Sequence, residues 1–356
     1  MDFETLRQAS DRGAAFFETV LDGNGRLKNP ETASDLGSVY KLPMMLILTG
    51  RGRLAHKVLN DIKERFMQPD GDFLSYPDKT GDDRKSKNQE LVQYWPYMNA
   101  WVAMAAHRLC RFDISYPAWE FLKQFYNPKV GGFGTSGRYD VDPTTSTEKL
   151  ALVSTGNRYD VGFFMTAHLA LTALQFGDLE KAKTSGDLMV RIVEEQPALD
   201  QYFLLHVNGE TGQLVPKEPE GRRKWYRMVR DDPNELFYQL GYPVYYLHHL
   251  YRLTKQEKYL RTGEKILDFA MTLHENFYTH FLNHKVAWGA GLVAMTTGKA
   301  KYREMCARCV KYLLSLQTSE GDFLRELGPQ PNLDQTAEIP IWLRELANSM
   351  VDKDNL

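Results

Sequence analysis

Three carboxylates and two arginines within residues 227–235 form the densest group of side chains that could do chemistry. Asp231, Asp232 and Glu235 make a DDxxE pattern at a predicted helix start. The i, i+1, i+4 spacing would place two carboxylates on one helix face, where they could share a hard cation such as Mg²⁺. Arg227 and Arg230 could then hold phosphate oxygens. The same residues also suit ordinary helix capping, since Asp and Glu are common in a first turn.

A lysine lies at the start of the fifth of six predicted buried helices. Lys285 follows His284 and shares a helical stripe with Trp288. If Trp288 faces a pocket, Lys285 faces it too, and its ammonium is placed to neutralise a leaving diphosphate or a substrate carboxylate. The alternative is a solvated lysine at the edge of a helix.

Single acids lie near two further helix starts. Asp160 comes shortly after Arg158, and Glu338 shares a helical stripe with Asp334. A carboxylate in a partly apolar mouth can have a displaced pKa, so each acid is a candidate metal ligand or general acid/base. Each also suits a helix cap. Arg158 and Lys41 are candidate anion-binding residues of the same kind.

Aromatic residues are concentrated in the predicted buried helices. They could line a pocket that stabilises a cationic intermediate by cation–π attraction, or they could stack on sugar rings. The alternative is that most of them fill the core between two helical layers. The set comprises Tyr40, Trp95, Tyr97, Tyr159, Phe163, Phe164, Phe237, Tyr238, Tyr242, Trp288 and Trp342.

The elements that carry these residues repeat along the chain. The segments MQPDGDF (67–73), YNPKVGGF (126–133) and LQTSEGDF (316–323) each end a helix with a glycine turn followed by Phe. Charged amphipathic stretches at 49–66, 176–196, 254–276 and 297–317 predict outer helices. Helices richer in Ala, Gly, Met and aromatics predict an inner layer, with starts near Tyr40, Tyr94, Tyr159, Glu235, His284 and Gln335.

This alternation predicts an all-α fold, an (α/α)6 toroid with six inner and six outer helices. An opening helix from about Phe3 to Val20 would close the ring against the last inner helix. At 356 residues the chain exceeds the usual size of one core, and no Pro/Gly/Ser-rich linker divides it. A single self-repeating domain over residues 1–356 is therefore expected, with the inner helix starts converging on one mouth.

Charge and composition exclude several classes of partner. Lys+Arg 44 against Asp+Glu 46 leaves a net charge of −2, which gives no overall field for nucleic acid or anionic membrane. No apolar run reaches the length of a membrane span, and the acidic N-terminus is unlike a signal peptide. Three cysteines suit a reducing compartment. We expect a cytoplasmic protein that acts on a small molecule.

The repeats of the Gln-x-x-Gly-Asp-Phe type resemble those of squalene-type cyclases and protein prenyltransferases. More specifically, the chain resembles the fungal humulene-type sesquiterpene cyclases of tropolone sesquiterpenoid pathways. That resemblance implies an essential lysine at Lys285 and a steering residue at Phe281. It also implies that Asp231, Asp232, Glu235 and Asp160 hold Mg²⁺, with diphosphate bound by Arg227, Arg230 and Arg158 in a pocket walled by Tyr159, Tyr238 and Trp288.

The resemblance predicts a carbon–oxygen lyase that converts farnesyl diphosphate to a cyclic sesquiterpene by Mg²⁺-assisted ionisation. An (α/α)6 carbohydrate enzyme, such as a sugar epimerase or a glycuronyl hydrolase, is the alternative. It predicts a metal-independent acid/base pair drawn from Asp160, Glu338 and His284. A helical scaffold without activity is disfavoured by the number of polar residues at the predicted mouth.

Overall fold

A computed structural model describes residues 2–134, 160–325 and 329–354 of the chain. Helices dominate the architecture, and the few strands are two or three residues long. None of the helices in these three ranges is long and apolar enough to cross a membrane. The described residues divide into two compact units. The first contains the residues before Phe125 and those from Leu314 onward, and the second contains those between.

Helices and short strands follow one another in chain order. The helices are α1 (Phe3–Val20), α2 (Pro30–Ala33), α3 (Leu42–Leu48), α4 (Gly52–Phe66), α5 (Gln89–Val92), α6 (Trp95–Arg108), α7 (Phe112–Lys123), α8 (Phe163–Gln175), α9 (Leu179–Glu194), α10 (Arg223–Tyr226), α11 (Tyr238–Thr254), α12 (Glu257–Ala270), α13 (His284–Thr297), α14 (Ala300–Ser315) and α15 (Pro329–Asp354). The strands are β1 (Tyr126–Asn127), β2 (Gly132–Phe133), β3 (Asp160–Gly162), β4 (Tyr202–Leu204), β5 (His206–Asn208) and β6 (Arg227–Val229).

Two kinds of long helix alternate, as the sequence predicts. Helices α6, α8 and α13 are buried around nearly their whole circumference, which suits their content of Ala, Gly and aromatic residues. Helices α4, α9 and α12 bury one stripe and expose a charged face. The inner and outer layers that the sequence predicts are therefore confirmed, and so are the bounds of the opening helix, Phe3–Val20.

In the first unit, α15 packs along α1, and α3 packs against α4, α6 and α15. Gly13 of α1 allows the close approach, because a Cβ at that position would overlap the ring of Pro340 on α15. Pro43 and Pro96 occupy the first turns of α3 and α6, where a missing N–H costs little. These contacts bring the starts of three inner helices of this unit together.

In the second unit, α11 is the central helix and packs against α8, α12 and α13. A side chain at Gly241 would overlap the backbone of Lys285, so the glycine sets the closeness of α11 and α13. Two antiparallel strand pairs lie before α11. Asp160 of β3 pairs with Asn208 of β5, and Leu204 of β4 pairs with Arg227 of β6.

The glycine turns of the three repeated segments share one geometry. Gly71, Gly131 and Gly321 all have positive φ, the left-handed conformation that favours glycine. A Phe follows each turn and forms a backbone bridge to the end of the preceding helix, as in the pairing of Gln317 with Phe323. The repeat predicted from the sequence is thus a real structural unit that reverses the chain between an outer and an inner helix.

Candidate active site

Asp160 is a buried acid of the second unit. It lies on β3, directly before α8, and is only 4% exposed. The hydroxyl of Tyr226 donates a hydrogen bond of 2.8 Å to its Oδ2. Burial raises the pKa of Asp160 to about 6, and the bond from Tyr226 opposes that rise. The carboxyl group is therefore divided between its two protonation states near pH 6.

Tyr226 is itself fixed by a stacked imidazole. The ring of His206 on β5 lies 4.0 Å from the ring of Tyr226, with an angle of 17° between the two planes. Burial lowers the pKa of His206 to about 3, so this histidine is neutral. A backbone bond holds the two residues together, since the amide of Leu205, next to His206, donates to the carbonyl of Tyr226 at 2.8 Å. The pattern of His and Tyr along the sequence does not reveal this stack, because His206 lies on β5 and Tyr226 lies at the end of α10.

Lys285 lies at the start of α13 and is 4% exposed. Its Nζ lies 2.8 Å from Nε2 of His284, whose Nδ1 lies 2.7 Å from the carbonyl oxygen of Phe281. The carbonyl can only accept, so Nδ1 of His284 carries a proton. The contact between Nε2 and Nζ then fixes the orientation of both side chains. Phe281 contributes its backbone to this arrangement from a 3₁₀ turn, Phe281–Asn283.

Aromatic rings connect α8, α11 and α13 beside Lys285. The ammonium lies 5.3 Å from the ring of Tyr238 and 5.6 Å from that of Tyr242, within the range of cation–π attraction. Phe164 of α8 lies 5.1 Å from Tyr238 and 5.3 Å from Tyr242. Trp288, one turn beyond Lys285, stacks on Tyr245. Phe164, Tyr238 and Tyr242 are therefore in contact with one another beside Lys285.

The DDxxE carboxylates do not share a helix face. The chain from Asp231 to Phe237 is irregular and α11 begins only at Tyr238, so the helical spacing assumed from the sequence does not apply. The side chain of Asp231 is 90% exposed. Asp232 and the buried Glu235 both form ion pairs with Arg223. Asp232 and Glu235 therefore meet at Arg223 rather than along a helix face, and metal binding by the three carboxylates stays a prediction.

Glu235 also contacts the backbone of β6. It accepts a hydrogen bond of 2.8 Å from the amide of Val229, in addition to the ion pair with Arg223. Burial raises its pKa, and the contacts with Arg223 and Val229 oppose the rise. In the part of the chain that the structure describes, no three His, Cys, Asp or Glu side chains are grouped as a metal site requires. Mg²⁺ therefore stays a prediction from the sequence.

The two arginines of the same stretch are engaged in protein contacts. Arg227 forms a 2.7 Å ion pair with Glu218 and lies over the ring of Tyr202. The guanidinium of Arg230 donates to the carbonyl oxygens of Thr272 and Asp200. Arg158 and Tyr159, the other predicted substrate-binding residues of this region, lie outside the described residues. Binding of phosphate by Arg227 and Arg230 stays a prediction.

A second polar cluster occupies the first unit, where α3, α6 and α15 begin. Nζ of Lys41 lies 2.7 Å from Asp334 and 2.5 Å from Glu338, the acid that the sequence singles out. The hydroxyl of Tyr40 donates to Asp334 at 2.6 Å, and that of Tyr97 lies 3.4 Å from Glu338. The sequence stripe of Asp334 and Glu338 predicts their shared face, but it does not reveal that Lys41 lies between them.

Comparison with known proteins identifies the fold. No protein-family model and no curated protein matches the sequence. Among solved structures, a D-mannose isomerase matches with a TM-score of 0.64 at 12% identity, over 99% of this chain and 97% of its own. An α-1,6-mannanase from Salegentibacter matches with a TM-score of 0.59 at 12% identity, over 97% and 99%. An unsaturated glucuronyl hydrolase specific for heparin matches with a TM-score of 0.57 at 10% identity, over 100% and 99%.

The chain therefore has the (α/α)6 toroid fold, as the sequence predicts. The same comparisons correct the predicted relationship to sesquiterpene cyclases. Solved structures that share the fold include a D-mannose isomerase, α-1,6-mannanases and an unsaturated glucuronyl hydrolase, so the resemblance to humulene-type sesquiterpene cyclases is wrong. The predicted conversion of farnesyl diphosphate and the carbon–oxygen lyase class are wrong with it. The ion pairs of Arg223 with Asp232 and Glu235 fit this correction, because they occupy the carboxylates assigned to magnesium diphosphate.

Proposed function

We propose that the chain is an enzyme that acts on sugars and moves a proton between carbon atoms of an aldose or ketose, as a sugar isomerase or epimerase does. The observation that carries the proposal is the buried carboxyl of Asp160, whose pKa is raised to about 6. The fold supports the proposal, since a D-mannose isomerase is among the solved structures that share this fold. The substrate is then a neutral small molecule rather than a prenyl diphosphate.

Isomerisation of a sugar requires a base that removes the proton next to the carbonyl carbon and an acid that returns it. A group with a pKa near the working pH serves both steps well, because neither protonation state is rare. Asp160 fits this requirement. The hydroxyl of Tyr226, 2.8 Å away, holds the carboxylate in one orientation and sets how strongly basic it is. No metal ion takes part in the steps assigned to these residues.

The intermediate of such a reaction carries negative charge on the sugar oxygens. A fixed cation in a buried site stabilises developing charge strongly, because it needs no reorganisation. Lys285 supplies the cation, and His284 orients it through the 2.8 Å contact with Nε2. Tyr238 and Tyr242 present their rings to the ammonium and offer apolar faces for the C–H side of a sugar.

Proton transfer on a sugar is favoured over hydrolysis of a glycosidic bond by the state of the carboxylates. Hydrolysis uses two carboxyl groups, about 5 to 9.5 Å apart, one of them ionised and available to the sugar or to water. In this unit Glu235 is committed to Arg223 and to the amide of Val229. Asp160 with the pair of Lys285 and His284 supplies an acid/base group and a cation instead.

The proposal is tested by incubating the protein with D-mannose, D-glucose and D-fructose in D₂O containing EDTA. We expect conversion between sugars with deuterium entering the carbon next to the carbonyl, followed by proton NMR. Asp160→Asn should lower the rate by about 10²-fold or more, the usual contribution of a general base. The matched control is Asp187→Asn, which changes an exposed carboxylate of α9 that pairs with Lys258. It should retain the rate.

Two results would overturn the proposal. One is an Asp160→Asn variant that folds and keeps the wild-type rate. The other is a wild-type protein that converts none of the three sugars yet turns over a substrate without a sugar, such as a prenyl diphosphate. Release of monosaccharide from a glycoside, with no isomerisation, would move the function to hydrolysis. The cytoplasmic location stays a prediction from the sequence.

A further inference from the structure

The short helix α10 is a single turn that cannot hold its position alone. It spans only Arg223–Tyr226, and forming a first helical turn fixes several backbone angles for one hydrogen bond, which is unfavourable without outside support. This turn nevertheless carries the hydroxyl of Tyr226, which donates to Asp160 at 2.8 Å. The place of that hydroxyl therefore depends on the contacts that fasten α10 to the rest of the second unit.

Arg223 provides a charged contact that fastens the turn. Its Nη2 lies 2.5 Å from Asp232, and its Nη1 contacts Glu235. Both carboxylates lie in the irregular chain directly before α11. Glu235 is 1% exposed and also accepts from the amide of Val229 at 2.8 Å, so it is held from two sides. The planar fork of an arginine suits a bridge between two carboxylates better than the single ammonium of a lysine does.

Neutral contacts join the same two segments. Gln239 lies in the first turn of α11 and is 1% exposed. Its Nε2 donates a hydrogen bond of 2.8 Å to the carbonyl oxygen of Lys224 on α10. Nζ of Lys224 in turn donates to the carbonyl oxygen of Asn234 at 2.6 Å. The turn α10 and the start of α11 are therefore held together by the backbone as well as by charge.

The start of α11 also carries an aromatic ring of the candidate active site. Tyr238 directly precedes Gln239, and its ring lies 5.3 Å from the ammonium of Lys285. A shift between α10 and α11 would therefore move the hydroxyl of Tyr226 relative to the ring beside Lys285. Displacements of about 1 Å are enough to slow a reaction strongly, because the reacting groups lose their alignment.

We propose that Arg223 and Gln239 are positioning residues of the candidate active site: by fastening α10 to the start of α11, they hold the hydroxyl of Tyr226 on Asp160. The use of Asp160 in sugar conversion rests on the proposed function. The dependence of its hydrogen bond on Arg223 and Gln239 does not, because it follows from the contacts of α10.

The test follows the ionisation of Asp160 by carbon-13 NMR of protein labelled at the aspartate carboxyl carbons, with Asp160→Asn to assign the resonance. Arg223→Gln and Gln239→Leu should each raise the pKa of Asp160 toward its value in Tyr226→Phe, because a weakened hydrogen bond favours the ionised form less. In the same variants kcat for sugar conversion should fall about ten- to a hundredfold, with a smaller change in KM. His206, which stacks on Tyr226, has a pKa of about 3 and stays neutral near the midpoint of Asp160.

Double variants separate positioning from a direct effect of charge. In the Tyr226→Phe background, neither Arg223→Gln nor Gln239→Leu should shift the pKa of Asp160 further, since the hydroxyl through which they act is gone. An electrostatic effect of the guanidinium would persist in that background. Gln239→Leu changes no charge. Arg223→Lys keeps a cation beside the buried Glu235 and should shift the pKa less, so it provides the test if Arg223→Gln does not fold.

Arg65→Gln is the matched control. Arg65 pairs with Asp61 on α4 in the first unit and donates to the carbonyl oxygen of Ala33. Its replacement should lower stability and leave both the pKa of Asp160 and the rate as in the wild type. A wild-type pKa of Asp160 in the folded Arg223 and Gln239 variants would overturn the inference. Equal shifts with and without the hydroxyl of Tyr226 would overturn it too.

The outcome for these positioning residues is distinguishable from that of the proposed function. A raised pKa of Asp160 in Gln239→Leu, in a protein that converts no sugar, would support the positioning role and contradict the enzyme. Sugar conversion at the wild-type rate in Gln239→Leu, with the pKa of Asp160 unchanged, would support the enzyme and contradict the positioning role.

Discussion

The hydroxyl of Tyr226, at the end of α10, donates a hydrogen bond of 2.8 Å to Oδ2 of Asp160 on β3. The two residues are 66 positions apart in the sequence. Burial raises the pKa of Asp160 and this bond lowers it, so the value of about 6 is a balance of the two effects. Tyr226 is therefore a positioning residue that sets the pH at which Asp160 can accept a proton.

Removing this hydroxyl should move the pH profile of the proposed sugar conversion. In Tyr226→Phe the bond that favours the ionised carboxylate is lost, so the pKa of Asp160 should rise further above its ordinary value. The acid limb of kcat/KM against pH should then shift to higher pH, while the plateau rate changes less. The profile is measured with the sugar that the wild type converts. A profile with the same acid limb would contradict the assigned role of Tyr226.

The raised pKa of Asp160 also predicts a pH-dependent gain in stability on its replacement. The folded protein binds the proton more tightly than the unfolded chain, so ionisation of Asp160 destabilises the fold as pH rises from about 4 through 6. Asp160→Asn should be more stable than wild type by on the order of 2 kcal/mol at pH 8. The gain should vanish near pH 4, as urea denaturation at the two pH values will measure.

Asp113 is the control for the direction of this change in stability. Hydrogen bonds from Arg111 and Lys63 hold its pKa well below the ordinary value, so its ionised form stabilises the fold. Asp113→Asn should therefore lower stability above pH 4, by a small amount because the pair is exposed. If both variants changed stability in the same direction at pH 8, the burial effect assigned to Asp160 would be incorrect.

The buried imidazole of His206 should make the fold sensitive to acid. Burial lowers its pKa to about 3, whereas an unfolded histidine titrates near 6.5, so the unfolded chain binds the proton first. Stability should fall by about 1.4 kcal/mol for each pH unit below 6.5 through this group alone. His206→Phe keeps a ring against Tyr226 and should remove this part of the dependence between pH 7 and pH 5.

His248 provides the background for that measurement. Burial lowers its pKa to about 4, and it accounts for acid sensitivity that remains in the His206→Phe variant. The free energy of unfolding should therefore still decline with acid, but with a smaller slope than in the wild type. Identical slopes for variant and wild type would show that His206 is protonated in the folded state.

The sequence predicts the helices well because their signals are local. The glycine turns, the 3.6-residue periodicity of α4, α9 and α12, and the apolar inner helices all lie within one stretch of chain. The inner start placed near His284 coincides with the start of α13. The start near Glu235 is three residues early, because Asp231 to Phe237 forms an irregular turn that Arg223 holds from α10.

The site is harder to predict because its members meet through distant pairings. Asp160 and Lys285 are visible as candidates, since an acid and a base near helix starts stand out in apolar surroundings. The strand pair that places Asp160 opposite Asn208 leaves no periodic signal, since each strand has only three residues. The ion pairs of Arg223 are equally hidden, and without them the DDxxE pattern is indistinguishable from a metal site.

The contact between α11 and α13 gives the last prediction, because it positions Lys285. A methyl group at Gly241 would overlap the backbone of Lys285 and Val286, so Gly241→Ala must push the two helices apart. We expect a loss of about 1 to 3 kcal/mol in unfolding free energy, the usual cost of overpacking, together with slower sugar conversion. Gly263→Ala on α12 is the matched control.

The nearest atom to a methyl group at Gly263 is 3.8 Å away, an ordinary contact, so the new side chain fits without displacement. Alanine favours a helix over glycine by about 1 kcal/mol, so this variant should be more stable than wild type and equally active. The unfolding free energy and the rate of sugar conversion are measured for both variants. If Gly241→Ala were as stable and as active as Gly263→Ala, the close packing of α11 on α13 would not be what positions Lys285.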